Sequence, residues 1–162
     1  MRHFFARHQP APRPRAIVLA GIGACLAVGA LALATQSGPW LLLIAPFGAS
    51  CALLFGAPGS PLAQPSAVIG GHVVATLTAL ALHAVLPDAW WAPAIAVGAA
   101  IAMMMVLRVL HPPGAADPIV VFALNAKLSF LIAPVLVGAV ALVAMATLFH
   151  RVSGTTYPTP KL

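Results

Sequence analysis

Five long apolar runs, separated by short connections, are the feature that most constrains this chain. About 20 apolar residues in a row is the length of helix that spans a bilayer. The chain is 62% hydrophobic and 6% charged, with a mean hydropathy of +1.04. A chain of 162 residues cannot bury so much apolar surface in a water-soluble core. We therefore expect an all-α fold, a polytopic transmembrane helical bundle in contact with the lipid bilayer, with apolar segments Ala16–Thr35, Pro39–Phe55, Ser66–Leu86, Trp91–Leu110 and Leu128–His150.

The eight basic residues lie mainly outside these runs. Four arginines precede the first run, whereas Arg151 and Lys161 follow the last. Basic flanks are typical of cytoplasmic segments, so we expect a multi-pass protein of the bacterial inner membrane with a cytoplasmic N-terminus. Residues 1–15 form the basic segment, 16–150 the transmembrane domain and 151–162 a polar tail, whose side of the membrane stays open. No basic stripe with interleaved aromatic residues occurs, which argues against nucleic-acid binding.

Two connections are dense in proline and glycine, APGSPLAQP at 57–65 and HPPGAADP at 111–118. Proline removes a backbone donor and glycine frees the dihedral angles, so neither connection continues a helix. Such backbone is tolerated at membrane depth only where protein buries it or where it lines a wet cavity. The sequence leaves two interpretations, broken-helix or re-entrant loops and tight turns at the membrane surface. The short run Ile119–Leu124 fits half of a broken helix.

Polar side chains at the two loops are the candidate substrate-binding residues. Free N–H groups at a helix start, together with hydroxyl and amide groups, suit a small inorganic anion. His111 either donates to the anion or carries a coupling proton, since histidine changes charge near neutral pH, or it caps the fourth segment. His72 either lines the pathway or packs. The candidate set is Ser50, Ser60, Gln64, His72, His111, Gly114, Asp117 and Asn125.

Charged residues near the second loop admit structural roles as well. An ion pair between Arg108 and Asp117 would neutralise both groups and fix the shape of the loop. Asn125 and Lys127 either attract anions into a cavity or lie at a membrane interface.

Four motifs in order carry a family resemblance: FGAS at 47–50, APGSPLAQP at 57–65, IGGH at 69–72 and HPPGAADP at 111–118. Over 35–151 the chain resembles the HPP family of small integral membrane proteins. The resemblance implies a four-helical membrane domain with a role in transport, and plant plastid and cyanobacterial members are associated with nitrite movement. Many members have Ala-Gly-Ala-Asn-Pro after the prolines, whereas this chain has an acid, Asp117, in place of the amide.

Two function classes follow. The first is a transporter or channel for a small inorganic anion such as nitrite, and the second is a non-transporting assembly or sensor module. We expect no enzyme, because the chain has only two acids and no nucleophile–base pair visible in the sequence. We expect no cofactor and no metal, since no Cys/His cluster has ligand spacing. Small residues recur every fourth position in two segments, Gly21–Cys25–Gly29 and Ala94–Gly98–Ala102, which suggests packing faces and a homo-oligomer.

Overall fold

A computed structural model describes residues 5–160, and within that range the chain is entirely helical apart from turns and short extended segments. The expected all-α bundle is thereby confirmed. Arg2 and Lys161, which belong to the expected basic flanks, lie outside the described residues. The helices are α1 (Pro14–Ser37), α2 (Ala45–Gly56), α3 (Pro65–His83), α4 (Ala92–Val106), α5 (Asp117–Ala123) and α6 (Val137–Ser153), with 3-10 turns at Pro61–Ala63 and Pro112–Ala116 and a π-helical segment, Leu131–Leu136, leading into α6.

Prolines set where most helices begin. A proline occupies the first or second position of each helix from α1 to α5 and of both 3-10 turns. The missing N–H of proline costs nothing in the first turn, where that group has no intrahelical partner. Pro134 instead lies within the helical run 131–153, where Ala133 is extended (φ −134°, ψ 119°) and the run is kinked.

Three helices are long and apolar enough to cross a membrane, namely α1, α3 and the kinked helix Leu131–Ser153. The remaining apolar helices, α2 and α4, are shorter, at 12 and 15 residues. The predicted segment Pro39–Phe55 is thus helical only from Ala45, since Pro46 cannot donate the bond that would extend the helix backwards. Instead Thr35 Oγ1 accepts the N–H groups of Leu42 and Leu43, at 2.9 and 3.0 Å.

Three helices end with the same left-handed cap. Arg108 after α4, Asn125 after α5 and Gly154 after α6 have φ of 58°, 48° and 75°. In each cap the following N–H bonds back across the last turn, as Val109 N does to Met104 O and Ala126 N to Val121 O, both at 2.9 Å. This is the Schellman arrangement, in which glycine or asparagine is usual and arginine is not. It ends α4 earlier than the predicted Leu110.

The second loop turns back into the bundle, whereas the first lies nearer the surface of the bundle. Asp117 at the start of α5 lies beside Thr76 of α3, and Phe122 near the end of α5 lies against His83 at the end of α3. Therefore α4 begins and α5 ends at the same end of the bundle, and the second loop connects them inside it. Pro113 of this loop is buried, while Gly59 of the first loop is exposed.

The start of α1 lies beside the ends of α2 and α6, so both described termini lie at one end of the bundle. A single cavity at that end is lined by Arg13 before α1, Phe55 of α2 and Thr155 after α6. The C-terminal tail also covers the first loop, because the Tyr157 hydroxyl donates to Ala63 O at 2.9 Å. Burial raises the pKa of Tyr157 to about 12, so this hydroxyl keeps its proton.

The small-residue stripes face away from the bundle. Gly21, Gly29 and Gly98 are exposed, and a Cβ added at any of them would meet nothing within 4 Å. Within the chain, α1 packs through a different stripe, Gly23–Ala27–Leu31. The stripes predicted as packing faces are therefore exposed and not part of the core within the described residues.

Glycines let α3 and the second loop interlock. A Cβ on Gly71 would lie 2.5 Å from His111 Cβ and 2.9 Å from Val109 O. A Cβ on Gly114 would lie 3.2 Å from the Gly71 backbone, and one on Gly70 would lie 2.9 Å from the Val109 side chain. No side chain fits between these two backbones, which explains the glycines of the IGGH and HPPG motifs.

We predict that Gly71→Ala lowers the free energy of unfolding by about 2 kcal/mol or more, because the loop must move off α3. Gly98→Ala, on the exposed face of α4, is the matched control and should not lower stability, since its Cβ meets nothing and alanine favours a helix more than glycine does. Denaturant unfolding of the purified proteins in detergent measures both. Equal effects for the two variants would contradict the interlocked geometry.

Candidate functional site

Four buried polar side chains meet where the second loop packs against α2 and α3. Ser50 comes from α2, His72 from α3, His111 from the start of the second loop and Asp117 from the start of α5. Each is 0% exposed. We call these four residues the polar cluster.

The polar cluster is a linear chain of hydrogen bonds. Asp117 Oδ2 lies 2.8 Å from His72 Nδ1, and His72 Nε2 lies 2.8 Å from Ser50 Oγ. Ser50 Oγ in turn lies 2.9 Å from His111 Nε2. Each imidazole thus uses both of its nitrogens, and Ser50 links the two rings.

Both ends of the chain are tied to other elements. His111 Nδ1 donates to the carbonyl oxygen of Leu62, in the 3-10 turn of the first loop, at 2.8 Å. At the other end Thr76 donates to Asp117 Oδ2 at 3.2 Å. The cluster therefore joins the two proline-rich loops. The capping role considered for His111 is wrong, because backbone hydrogen bonds end α4 and His111 bonds instead to Leu62.

Among residues 5–160, no lysine or arginine forms an ion pair with Asp117. The predicted ion pair with Arg108 is wrong, because the left-handed cap turns Arg108 to the surface while Asp117 faces α3. Asp117 Oδ1 has no hydrogen-bond partner among the described residues, although it is buried. A carboxylate in such a place is costly unless a proton or a cationic partner compensates it.

Aromatic and glycine packing holds the rings in place. The Phe47 ring meets the His72 ring edge to face with centroids 5.1 Å apart, and the His72 and His111 rings are 5.0 Å apart. Phe47 itself packs against Gly138 of α6, where a Cβ would collide with the Phe47 ring. The orientation of His72 is therefore set by α2 and α6 as well as by its hydrogen bonds.

The other predicted site residues lie outside the polar cluster. Ser60 Oγ accepts from Leu62 N at 3.2 Å, and Gln64 Nε2 donates to the carbonyls of Pro58 and Ser60, both at 2.9 Å, so these two side chains shape the first loop. Gly114 contributes backbone packed on α3. Asn125 is exposed and serves as the left-handed cap of α5.

Two participants were not predicted from the sequence. Thr76 follows His72 by one helical turn, so helical periodicity would have placed its hydroxyl on the same face. The carbonyl of Leu62 carries no signal in the sequence, because any residue could supply it.

Aspartate, histidine and serine occur here in the order used by serine hydrolases, a relation not visible in the sequence. The hydrolase arrangement also needs an accessible serine and donors directed at a developing oxyanion. Here Ser50 Oγ is fully buried, flanked by a second imidazole, and 3.2 Å from an acceptor, the carbonyl of Pro46. The geometry suits proton exchange among fixed partners better than attack on a substrate.

A separate cavity of about 420 Å³ lies at the end of the bundle where both termini meet. Arg13 and Arg15 line it together with His150 of α6. His150 is 3% exposed and donates from Nε2 to the carbonyl of Leu54 at 2.8 Å, while its Nδ1 has no partner among the described residues. Leu54 lies one turn beyond Ser50 on α2, so that helix connects this cavity with the polar cluster.

We predict that Ser50→Ala lowers the free energy of unfolding by about 1–2 kcal/mol, because both imidazoles lose a buried partner. Thr78→Ala is the matched control, since its hydroxyl bonds only to the Val74 carbonyl of its own helix. The control should cost less than about 0.5 kcal/mol in the same detergent unfolding assay. Equal losses would mean that the bonds to the imidazoles contribute nothing.

Comparison with known proteins extends the structural description. The model of the HPP transmembrane region matches residues 9–158. Two transmembrane proteins of Dictyostelium discoideum are 37% identical over 84 residues and 40% identical over 83 residues, in each case 49% of this chain. The matches cover 27% and 29% of those proteins, so the chain spans less than a third of the relatives it matches. No solved structure matches.

The apolar crossing helices and the match over nearly the whole chain agree on a multi-pass membrane protein. The chain belongs to the HPP transmembrane family.

Proposed function

We propose that this protein is a transporter or channel for a small inorganic anion such as nitrite, with its central site at the polar cluster. The observation that carries the proposal is that two proline-rich loops converge on four buried polar side chains inside an otherwise apolar bundle. Ionisable groups in a membrane domain are costly and mark ion or substrate pathways by default. Broken helices that bring backbone and polar side chains to the middle of a bundle are the arrangement that transporters use.

The electrostatics of the termini support the choice of an anion. Arg13 and Arg15 open into the cavity at the shared end of the bundle, and His150 offers a free ring nitrogen there. Clefts lined by one sign of charge raise the local concentration of the opposite ion. We propose this end as the cytoplasmic one, since Arg13, Arg15 and Arg151 all lie there.

A non-enzymatic role is part of the proposal. Serine hydrolysis is the second candidate, favoured only by the order Asp117–His72–Ser50. A serine-reactive fluorophosphonate probe separates the two roles. Covalent labelling of Ser50 in the folded protein would favour hydrolysis, and its absence, with a soluble serine hydrolase labelled in parallel, would favour transport.

We predict saturable nitrite uptake into proteoliposomes containing the purified protein, above that of empty liposomes, with nitrate, formate and chloride as competitors. His111→Ala should abolish this flux, because the variant disconnects the first loop from Ser50. His83→Ala is the matched control, since its ring only contacts Phe122 at the opposite end of α3. Folding of each variant is checked by circular dichroism.

The outcomes of this assay are distinct. Flux lost in His111→Ala but kept in His83→Ala supports the pathway. No flux above empty liposomes for any of these anions, from a folded preparation, would contradict transport and favour the assembly-module alternative.

We further predict that replacing Arg13 and Arg15 together by glutamine raises the KM for nitrite several-fold and leaves the maximal rate nearly unchanged. The reason is weaker attraction of the anion into the cavity, and the effect should shrink at high ionic strength. Arg151→Gln, on the last turn of α6 but outside the cavity lining, should have a smaller effect. Uptake measured over a range of nitrite and salt concentrations tests this, and an unchanged KM would contradict it.

A further inference from the structure

We infer that the polar cluster is a proton-binding site. Compared with a state in which Asp117 is ionised and both histidines are neutral, the cluster holds one additional proton. It can pass that proton between Asp117 and His111. As a coupling site for transport this inference rests on the proposed function. As a statement about the protons it rests on the hydrogen-bond geometry alone.

The argument begins at Leu62. A carbonyl oxygen only accepts, so His111 Nδ1 must carry a proton. Each of the three remaining short contacts, His111 to Ser50, Ser50 to His72 and His72 to Asp117, also needs one proton between its two heavy atoms. These four bonds require at least four protons. The longer contact of Ser50 Oγ with the Pro46 carbonyl, at 3.2 Å, competes for the same hydroxyl proton and so does not lower this number.

The four side chains in their usual protonation states supply only three protons. A neutral histidine carries one ring proton, a serine hydroxyl carries one and an ionised aspartate carries none. With Asp117 ionised and both histidines neutral, one of the four contacts would bring two lone pairs together. A fourth proton removes that conflict and makes the cluster electrically neutral.

The surroundings also require a neutral cluster. Among residues 5–160, Asp117 forms no ion pair with lysine or arginine, and its Oδ1 has no partner. Other ionisable groups on the elements packed against the cluster are Cys51 on α2, His83 on α3, Arg108 after α4, and His150 and Arg151 on α6. None of these forms a described hydrogen bond or ion pair with the cluster, so the only available countercharge for Asp117 is a proton on the cluster itself.

The same geometry provides a route for the proton. In one arrangement Asp117 is protonated on Oδ2, His72 carries its proton on Nε2 and Ser50 donates to His111. Asp117 then gives its proton to His72 Nδ1, His72 Nε2 gives one to Ser50 Oγ and Ser50 gives its own to His111 Nε2. The product has an Asp117 carboxylate, a neutral His72 and a His111 imidazolium. All four hydrogen bonds persist, three with their donors reversed, while His111 Nδ1 still donates to Leu62 O. No heavy atom needs to move.

The two ends of this route differ in how deeply their neighbours are buried. His111 bonds to half-buried Leu62 and precedes Pro112, which is exposed, whereas Asp117 bonds to fully buried Thr76. His111 is therefore the end at which the cluster exchanges its proton, and Asp117 is the end that retains it. An anion arriving near the loops would meet a cluster that is neutral or carries positive charge at His111.

The composition of the chain makes the test direct, because Asp88 and Asp117 are the only acidic side chains and Asp88 is exposed. Infrared difference spectra between neutral and alkaline pH report a protonated carboxyl group through its C=O stretching band. Nitrogen-15 spectra of histidine-labelled protein report a cationic imidazole. At neutral pH we expect to detect the one additional proton of the cluster, either as a carboxyl band of Asp117 or as a cationic His72 or His111.

Variants assign the signals. Asp117→Asn resembles the protonated acid in shape and should remove the carboxyl band or the cationic imidazole while keeping the fold. Asp88→Asn, the matched control, should leave both signals unchanged. An ionised Asp117 together with neutral His72 and neutral His111 in the wild-type protein at neutral pH would overturn the inference.

A transport readout addresses coupling separately. An imposed pH gradient should change nitrite uptake by the wild-type protein and by Asp88→Asn, whereas uptake by Asp117→Asn should no longer respond to it. An equal response in Asp117→Asn would overturn the coupling role. If the wild-type protein moves no nitrite, the proposed function fails, while the spectroscopic count still decides whether the cluster holds the proton.

Discussion

The burial of a carboxyl group in an apolar bundle is the constraint on which the structure around the site depends. Asp117 has left water completely, and no lysine or arginine among the described residues compensates it. Such a group persists only where hydrogen bonds and a shared proton keep the local charge low. The two histidines and Ser50 provide those bonds. The rest of the architecture brings these partners within reach.

Several features serve this purpose. The second loop turns back into the bundle, so Asp117 reaches the middle of α3 instead of a membrane surface. Gly71 and Gly114 permit the close backbone contact that this position requires. The bond from His111 to Leu62 then ties the first loop to the second. Chemistry and fold are thus coupled, because the chain that fixes the loops is also the chain that can move a proton.

Much of the fold follows from the sequence, since apolar runs and prolines are local signals. Five apolar segments and two interrupting loops were predicted, and the start of α3 at Pro65 lies one residue from the predicted Ser66. The length of α2 was overestimated, because apolar composition alone does not distinguish helix from the extended segment before Pro46. The left-handed caps at Arg108 and Asn125 were also missed, because arginine is unusual in such a cap and Asn125 was interpreted only through its side-chain amide.

The site was only partly predictable. The histidines, Ser50 and Asp117 were candidates because of their motifs and types, yet their order in one chain of bonds depends on distant contacts between α2, α3 and the second loop. The erroneous pairing of Arg108 with Asp117 has the same origin, because proximity along the sequence was taken for proximity in space. Asn125 was a candidate for its amide, whereas the backbone uses it to end α5.

The central claim is that the polar cluster acts as one unit, and a double-mutant cycle on His72 and His111 tests it most directly. Both rings bond to the same Ser50 hydroxyl. Free energies of unfolding are measured in detergent for the wild-type protein, His72→Asn, His111→Asn and the double variant. The account predicts that the double variant loses less stability than the two single losses added together, by about 0.5–2 kcal/mol. Losses that add to within about 0.3 kcal/mol would contradict it, since independent side chains behave in that way.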